Sequence, residues 1–86
     1  MAKYKIEIKK SAAKEISSLP AADTKRLLKA IEALGDNPRP HGYQKLTHRE
    51  EYRIRVGHYR IIYMIEDFIL TVTVIKVGHR KDVYLH

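Results

Sequence analysis

The sequence predicts an α+β domain in the order β-α-α-β-β-β, an N-terminal helical hairpin packed on one face of an antiparallel sheet. Three observations predict it. An alternating segment, Lys3 to Lys9, opens the chain. Two apolar stripes at helical spacing follow between Ser11 and Leu34. From Glu51 onward, strand-length blocks are separated by short turn signals. At 86 residues the chain is read as one domain, residues 1–86, near the small end of what folds alone.

Each element has its own justification. Tyr4, Ile6 and Ile8 alternate with Lys5, Glu7 and Lys9, the pattern of a half-buried strand. Ser11 is the expected N-cap of the first helix, whose buried stripe is Ala13, Ile16 and Leu19. Pro20 starts a second helix where proline costs little, and Leu27, Leu28, Ile31 and Leu34 form its buried stripe. Gly35 is the expected C-terminal cap, with Pro38 and Pro40 preventing continuation. Residues 36–48 read as a loop. Glu51 to Val56 alternates, Gly57-His58 is a two-residue hairpin signal suited to a type II′ turn, and Tyr59 to Ile65 returns. Glu66-Asp67 is read as a second two-residue turn, Phe68 to Val77 as a long strand broken by Gly78, and Val83 to Leu85 as a short final strand.

Composition excludes several classes. There is no cysteine, so no disulfide framework and no thiolate zinc site. No apolar run approaches the ~20 residues of a membrane span, and Met1 to Tyr4 lacks the apolar core of a signal peptide. A cytoplasmic protein without membrane association is expected. The five histidines show no metal-ligand spacing, and neither metal nor cofactor is expected.

Charge is the informative quantity. Lys and Arg number 17 against 10 Asp and Glu, a formal net charge of +7, which favours anionic partners. Up to Asn37 the cations are lysines with the single exception of Arg26. From Pro38 onward arginines dominate: Arg39, Arg49, Arg53, Arg55, Arg60 and Arg80. Arginine presents a rigid fork that matches phosphate oxygens. A two-residue turn at Gly57-His58 sets Val56 opposite Tyr59, Arg55 opposite Arg60, Ile54 opposite Ile61 and Arg53 opposite Ile62. Ile54, Val56, Tyr59, Ile61 and Tyr63, joined by Phe68, Leu70, Val72 and Val74, then form the core face. Arg53, Arg55, Arg60, Ile62, Thr71, Thr73 and Ile75 form the other. Two directly opposed arginines disfavour folding by a few tenths to ~1 kcal/mol, a cost that an anion between them offsets. Lys45, Arg80 and Lys81 lie in segments that could border the same face.

These residues carry a resemblance. Tyr52-Arg-Ile-Arg-Val-Gly-His-Tyr-Arg-Ile-Ile-Tyr63, with Val77-Gly-His-Arg-Lys-Asp-Val-Tyr84, resembles the RelE/ParE toxin superfamily, and its RelE-like branch most closely. The resemblance spans the whole chain, including the Lys45-Leu46 step before the second sheet strand. It implies a RelE-like, microbial-ribonuclease-like fold and the toxin of a type II toxin–antitoxin system. It also implies a metal-independent endoribonuclease that cuts messenger RNA in the ribosomal A site, the 2′-hydroxyl attacking phosphorus to leave a cyclic phosphate. The implied partners are a cognate antitoxin, the ribosome with its message, and operator DNA through the antitoxin complex only.

Residue by residue, the resemblance makes Arg60 the holder of the scissile phosphate and gives Arg80 similar work. Tyr84 would stack on a base or assist proton transfer. Arg53 and Arg55 stand where the branch commonly has two lysines; they can stabilise charge but cannot serve as base. Lys45, His79 and Lys81 complete the expected RNA contacts with Arg53 and Arg55. Candidates for the missing base are Lys45, Glu50, Glu51, His58 and His79, with His79 favoured for its place beside Arg80; alternatively no side-chain base is required, and positioning with electrostatic stabilisation supplies most of the rate. Two other readings share the fold: a ParE-like inhibitor of DNA gyrase, and a superfamily member that binds RNA but cleaves it weakly or not at all. The combination of Arg60, Arg80 and Tyr84 favours the nuclease.

Overall fold

A computed structural model describes residues 3–46 and 50–79. The elements are β1 (Lys5–Ile8), α1 (Lys10–Ser17), α2 (Ala21–Ala33), β2 (Gln44–Lys45), β3 (Glu51–Val56), β4 (Tyr59–Glu66), a 3-10 turn (Asp67–Ile69) and β5 (Thr71–His79). The expected strand at Val83 to Leu85 lies outside the described residues. One five-stranded sheet runs in the order β1-β5-β4-β3-β2, with α1 and α2 against it. The sheet is mixed rather than wholly antiparallel, because β1 runs parallel to β5. After β1 the chain crosses over through both helices before the antiparallel strands begin, which leaves β1 on the far edge. No helix among the described residues is long and apolar enough to cross a membrane.

Local chemistry explains where the elements begin and end. The Lys9 N–H still donates to the Val74 carbonyl at 3.0 Å. The chain therefore turns from strand directly into α1, with Lys9 and not Ser11 at the cap position. The buried face of α1 is Ala12 and Ile16; Ala13 is exposed. Pro20 is the cap residue of α2, and its carbonyl accepts from the Asp23 and Thr24 N–H groups. The Thr24 hydroxyl donates back to the Ile16 carbonyl at 2.9 Å, pinning one helix to the other. Leu27 and Ile31 are buried, whereas Leu28 points outward. Gly35 follows the cap residue Leu34 and has no positive φ. Its role is close approach: a Cβ there would lie 3.1 Å from the Tyr4 carbonyl oxygen.

The hairpin has the expected register. Val56 pairs with Tyr59, Arg55 with Arg60, Ile54 with Ile61 and Arg53 with Ile62. Gly57 has φ +61 and His58 does not share the positive φ, the signature of a turn with glycine first. Ile54, Ile61, Tyr63, Val72 and Val74 form the sheet side of the core and meet Ala12, Ile16, Leu27, Ile31 and Leu34. Each buried valine, leucine or isoleucine among them contributes about 1.5–3 kcal/mol.

Two features change the β4–β5 side. Asp67–Ile69 is a 3-10 turn rather than part of a two-residue hairpin, and Leu70 follows with φ +46. Strand pairing starts only at Thr71, so Phe68 is fully exposed and Leu70 partly exposed, outside the core face. Asp67 holds this turn. Its carboxylate accepts from Arg39 at 3.0 and 3.3 Å and from the Tyr4 hydroxyl at 2.5 Å, joining the chain just before β1 to the α2–β2 loop. The second feature is a bulge. Tyr63 pairs with Val74 but Ile62 pairs with Lys76, so Ile75 is an extra residue. The bulge resets side-chain alternation and puts Val77 into the core at 1% exposure. On α1, the Glu15 carboxylate accepts from the Val77 N–H at 2.9 Å and from Lys76 Nζ at 3.1 Å, occupying the strand edge beyond β1.

Replacing Gly57 by alanine forces a side chain into positive φ and toward Arg26. Equilibrium unfolding in denaturant will show a loss of about 1–2 kcal/mol; an unchanged midpoint contradicts this account of the turn. Asp67 supplies a pH test. Arg39, and then Tyr4, hold its carboxyl below the ordinary aspartate range. A depressed folded-state pKa contributes stability above the unfolded value, lost as pH falls through the folded one. The difference in urea midpoint between the native protein and Asp67→Asn will be widest at neutral pH and close on acidification. A pH-independent difference would show that the charge is not what holds the turn.

Candidate nucleic-acid interface

The hairpin register places Arg53, Arg55 and Arg60 on the sheet face opposite the helices. Arg55 and Arg60 are direct cross-strand partners, and Ile62, paired with both Arg53 and Lys76, lies buried beside them. Side chains paired across the strands point the same way, which brings these three cations to one surface. The bulge adds to it: Gly78 becomes the partner of Arg60 and leaves that flank without a side chain. By alternation Glu51 and Glu66 share the face but stand at the other end of β3 and β4. The hairpin end is therefore the cationic end.

Arg53 is 8% exposed, an unusual environment for a permanent cation. Its Nη2 donates to Gln44 Oε1, and its buried Nε has no hydrogen-bond partner. Gln44 belongs to β2, whose register sets it opposite Arg53. Beside them is an open groove of about 610 Å³ lined by Pro40, His41, Gly42, Gln44, Arg53 and Arg55. Among the described residues no carboxylate lines it. A groove of this size with two guanidinium groups suits a phosphodiester segment, because arginine forms paired hydrogen bonds to phosphate oxygens.

The other sequence-derived site residues fall elsewhere. Lys45 pairs with Tyr52, so it shares the opposite face from Arg53, and its ammonium lies 3.9 Å from Glu50. His79 pairs with Tyr59, so it points away from the face of Arg60. Its ring lies nearly parallel to that of His58, 6.1 Å between centroids, and edge-on to Tyr59. Tyr59 is anchored to α2 through its hydroxyl, which donates to Asp23 at 2.8 Å; that carboxylate keeps the phenol protonated above its ordinary range. The alternation reset by the bulge is what separates His79 from the arginines. Arg80, Lys81 and Tyr84 lie outside the described residues. Sequence reading missed Gln44 and His41. Gln44 sits in a two-residue strand, too short to show alternation, and His41 in a loop whose path only the fold defines.

Comparisons with known proteins place the fold in a family. The family model that matches describes the ParE toxin of the type II toxin–antitoxin system parDE and covers residues 6–84. The putative toxin RelE1 of Methanocaldococcus jannaschii is 31% identical over 88 residues, covering 95% of this chain and 96% of that protein. Toxin RelG of Mycobacterium tuberculosis is 33% identical over 87 residues, covering 94% and 95% respectively. Among solved structures, the archaeal RelE–RelB complex from Pyrococcus horikoshii OT3 superposes with a TM-score of 0.83 at 29% identity, covering 96% of this chain and all of that one. The chain belongs to the RelE/ParE superfamily of type II toxin–antitoxin toxins, in its RelE-like branch.

Gln44 supplies the acceptor for a buried charged donor. Gln44→Ala will cost about 1–3 kcal/mol in equilibrium unfolding, whereas Gln44→Glu, which keeps the acceptor, will not. Equal midpoints for the alanine variant and the native protein would show that Gln44 does not hold Arg53.

Proposed function

We propose that this toxin is a metal-independent endoribonuclease that cleaves messenger RNA in the ribosomal A site and so stops translation. The observation that carries the reading is the opposed pair Arg55–Arg60, with the buried Arg53 beside it, on one sheet face. Fixed guanidinium groups stabilise the charge that grows on the phosphoryl oxygens as the 2′-hydroxyl attacks, and they do so best where their positions are set before reaction. Arg60 holds the scissile phosphate. Arg53 and Arg55 neutralise the strand on either side, and Arg80 adds a further cation. Tyr84 stacks on a base. Kinship to RelE1 and RelG supports the nuclease assignment.

The same reading gives the chain a cognate antitoxin in the cytoplasm, as in the Pyrococcus horikoshii OT3 complex with RelB, and contact with operator DNA only through that partner. Leu28, 43% exposed on α2, offers an apolar contact to a partner helix. A second reading, gyrase inhibition, draws on the family model's description as a ParE toxin.

Primer extension on a defined message in a translating extract separates the two. The nuclease reading expects cuts at the A-site codon, none on the same naked RNA, and a loss of roughly 10²–10³ in rate for Arg60→Ala. Intact message throughout, together with inhibited supercoiling by purified gyrase, would replace it with the second reading.

A further inference from the structure

A positioned proton acceptor speeds cleavage by 2′-hydroxyl attack, and the arginines on this face cannot be one. Of the residues weighed from the sequence, His79 and Lys45 stand on the other face. The fold brings a different residue to the groove. We propose that His41 is the general base of the reaction, an inference that rests on the nuclease reading above.

The case is built on the loop that presents His41. Pro40 to Tyr43 form a turn closed by the Tyr43 N–H donating to the Pro40 carbonyl at 3.0 Å. Gly42, at φ +91, takes the position that requires positive φ, so His41 is the first central residue of a type II-like turn. The loop is fastened on both sides of this arrangement. The Tyr63 hydroxyl, within the core, donates to the Pro38 carbonyl at 2.7 Å. Arg39 is locked to Asp67 and lies over the Tyr52 ring, 5.6 Å from its centroid. On the far side Gln44 is bonded to Arg53. The turn is thus held from Pro38 to Gln44, and His41 is its one titratable side chain lining the groove.

Across the groove stand Arg53 and Arg55 from β3, the charged groups that share the lining with His41. Glu51 lies further along the same strand face. Arg55 is the direct cross-strand partner of Arg60, so a phosphate held by Arg60 lies beside the groove that His41 lines. Histidine is the side chain that exchanges a proton near neutral pH, and here it is exposed to substrate on an anchored loop. In the step, the imidazole nitrogen takes the 2′-hydroxyl proton as the O2′–P bond forms. The P–O5′ bond breaks with its electron pair on O5′, which is protonated by water. The products are a 2′,3′-cyclic phosphate and a 5′-hydroxyl, and the imidazolium returns its proton to solvent.

The test is single-turnover cleavage on purified ribosome–message complexes, measured from about pH 5 to 8, the range in which histidine titrates. The native toxin will show a rate that rises with pH and levels off. His41→Ala will lose roughly 10²–10⁴ in rate and lose that acidic limb, while added imidazole restores part of the rate. Binding to a complex carrying a 2′-deoxy residue at the cleavage site will be unchanged by the substitution. His41→Ala cleaving at the native rate, or retaining the acidic limb, overturns the assignment while leaving the nuclease reading in place. Loss of the acidic limb in Glu51→Gln, with the limb kept in His41→Ala, does the same and names Glu51 as the base. Absence of cleavage by the native toxin at every pH overturns both.

Discussion

The structure depends first on the register of one hairpin. Gly57 and His58 join β3 to β4 by the shortest connection available, and everything on those strands is then assigned to a face. Ile54, Ile61 and Tyr63 fall toward α1 and α2, and Arg53, Arg55 and Arg60 fall away from them. A slip by one residue would bury arginines and expose isoleucines, at a cost far beyond the ~5–15 kcal/mol stability of a typical domain. The burial that folds the protein therefore also fixes the cations in mutual opposition. The cost of setting two like charges opposite each other, a few tenths to ~1 kcal/mol, is small beside the core's contribution.

A second constraint works on the β4–β5 side of the sheet. The β5 bulge lets Val74 and Val77 both face the core, and Glu15 from α1 satisfies the backbone where β1 no longer reaches. The same extra residue puts Gly78, with no side chain, beside Arg60. The Asp67 cluster fastens the α2–β2 loop to the β4–β5 turn, and that loop carries Pro40, His41 and Gln44 to the groove. The interface is thus assembled by three ties: the hairpin turn, the bulge with Glu15, and Asp67 with Arg39 and Tyr4.

The sequence made the hairpin legible because a two-residue glycine turn leaves one register that buries all the apolar residues. The helices were legible from stripe spacing, although Leu28 and Ala13 show that a stripe does not settle which of two adjacent apolar residues is inside. What was not legible has a common cause: it depends on partners distant in sequence. Parallel pairing of β1 with β5 joins Lys5 to Thr71. The bulge needs Glu15 opposite Val77. The turn at Asp67 needs Arg39 and Tyr4, which is why Phe68 and Leu70, apolar and in phase with a strand, lie outside the core. Likewise the arginine face could be read from local alternation, while Gln44 and His41 joined it only through the path of a loop.

The central claim is that the hairpin arginines contact phosphates as a set. The salt dependence of binding to an uncleavable 2′-deoxy oligonucleotide tests it without relying on catalysis. For single strands, the slope of log K against log salt changes by about 0.7 for each phosphate contact. Arg55→Ala and Arg60→Ala should each flatten the slope by about that amount, and the double variant by about twice as much. Variants that bind with the native slope would show that the face holds its cations for another purpose.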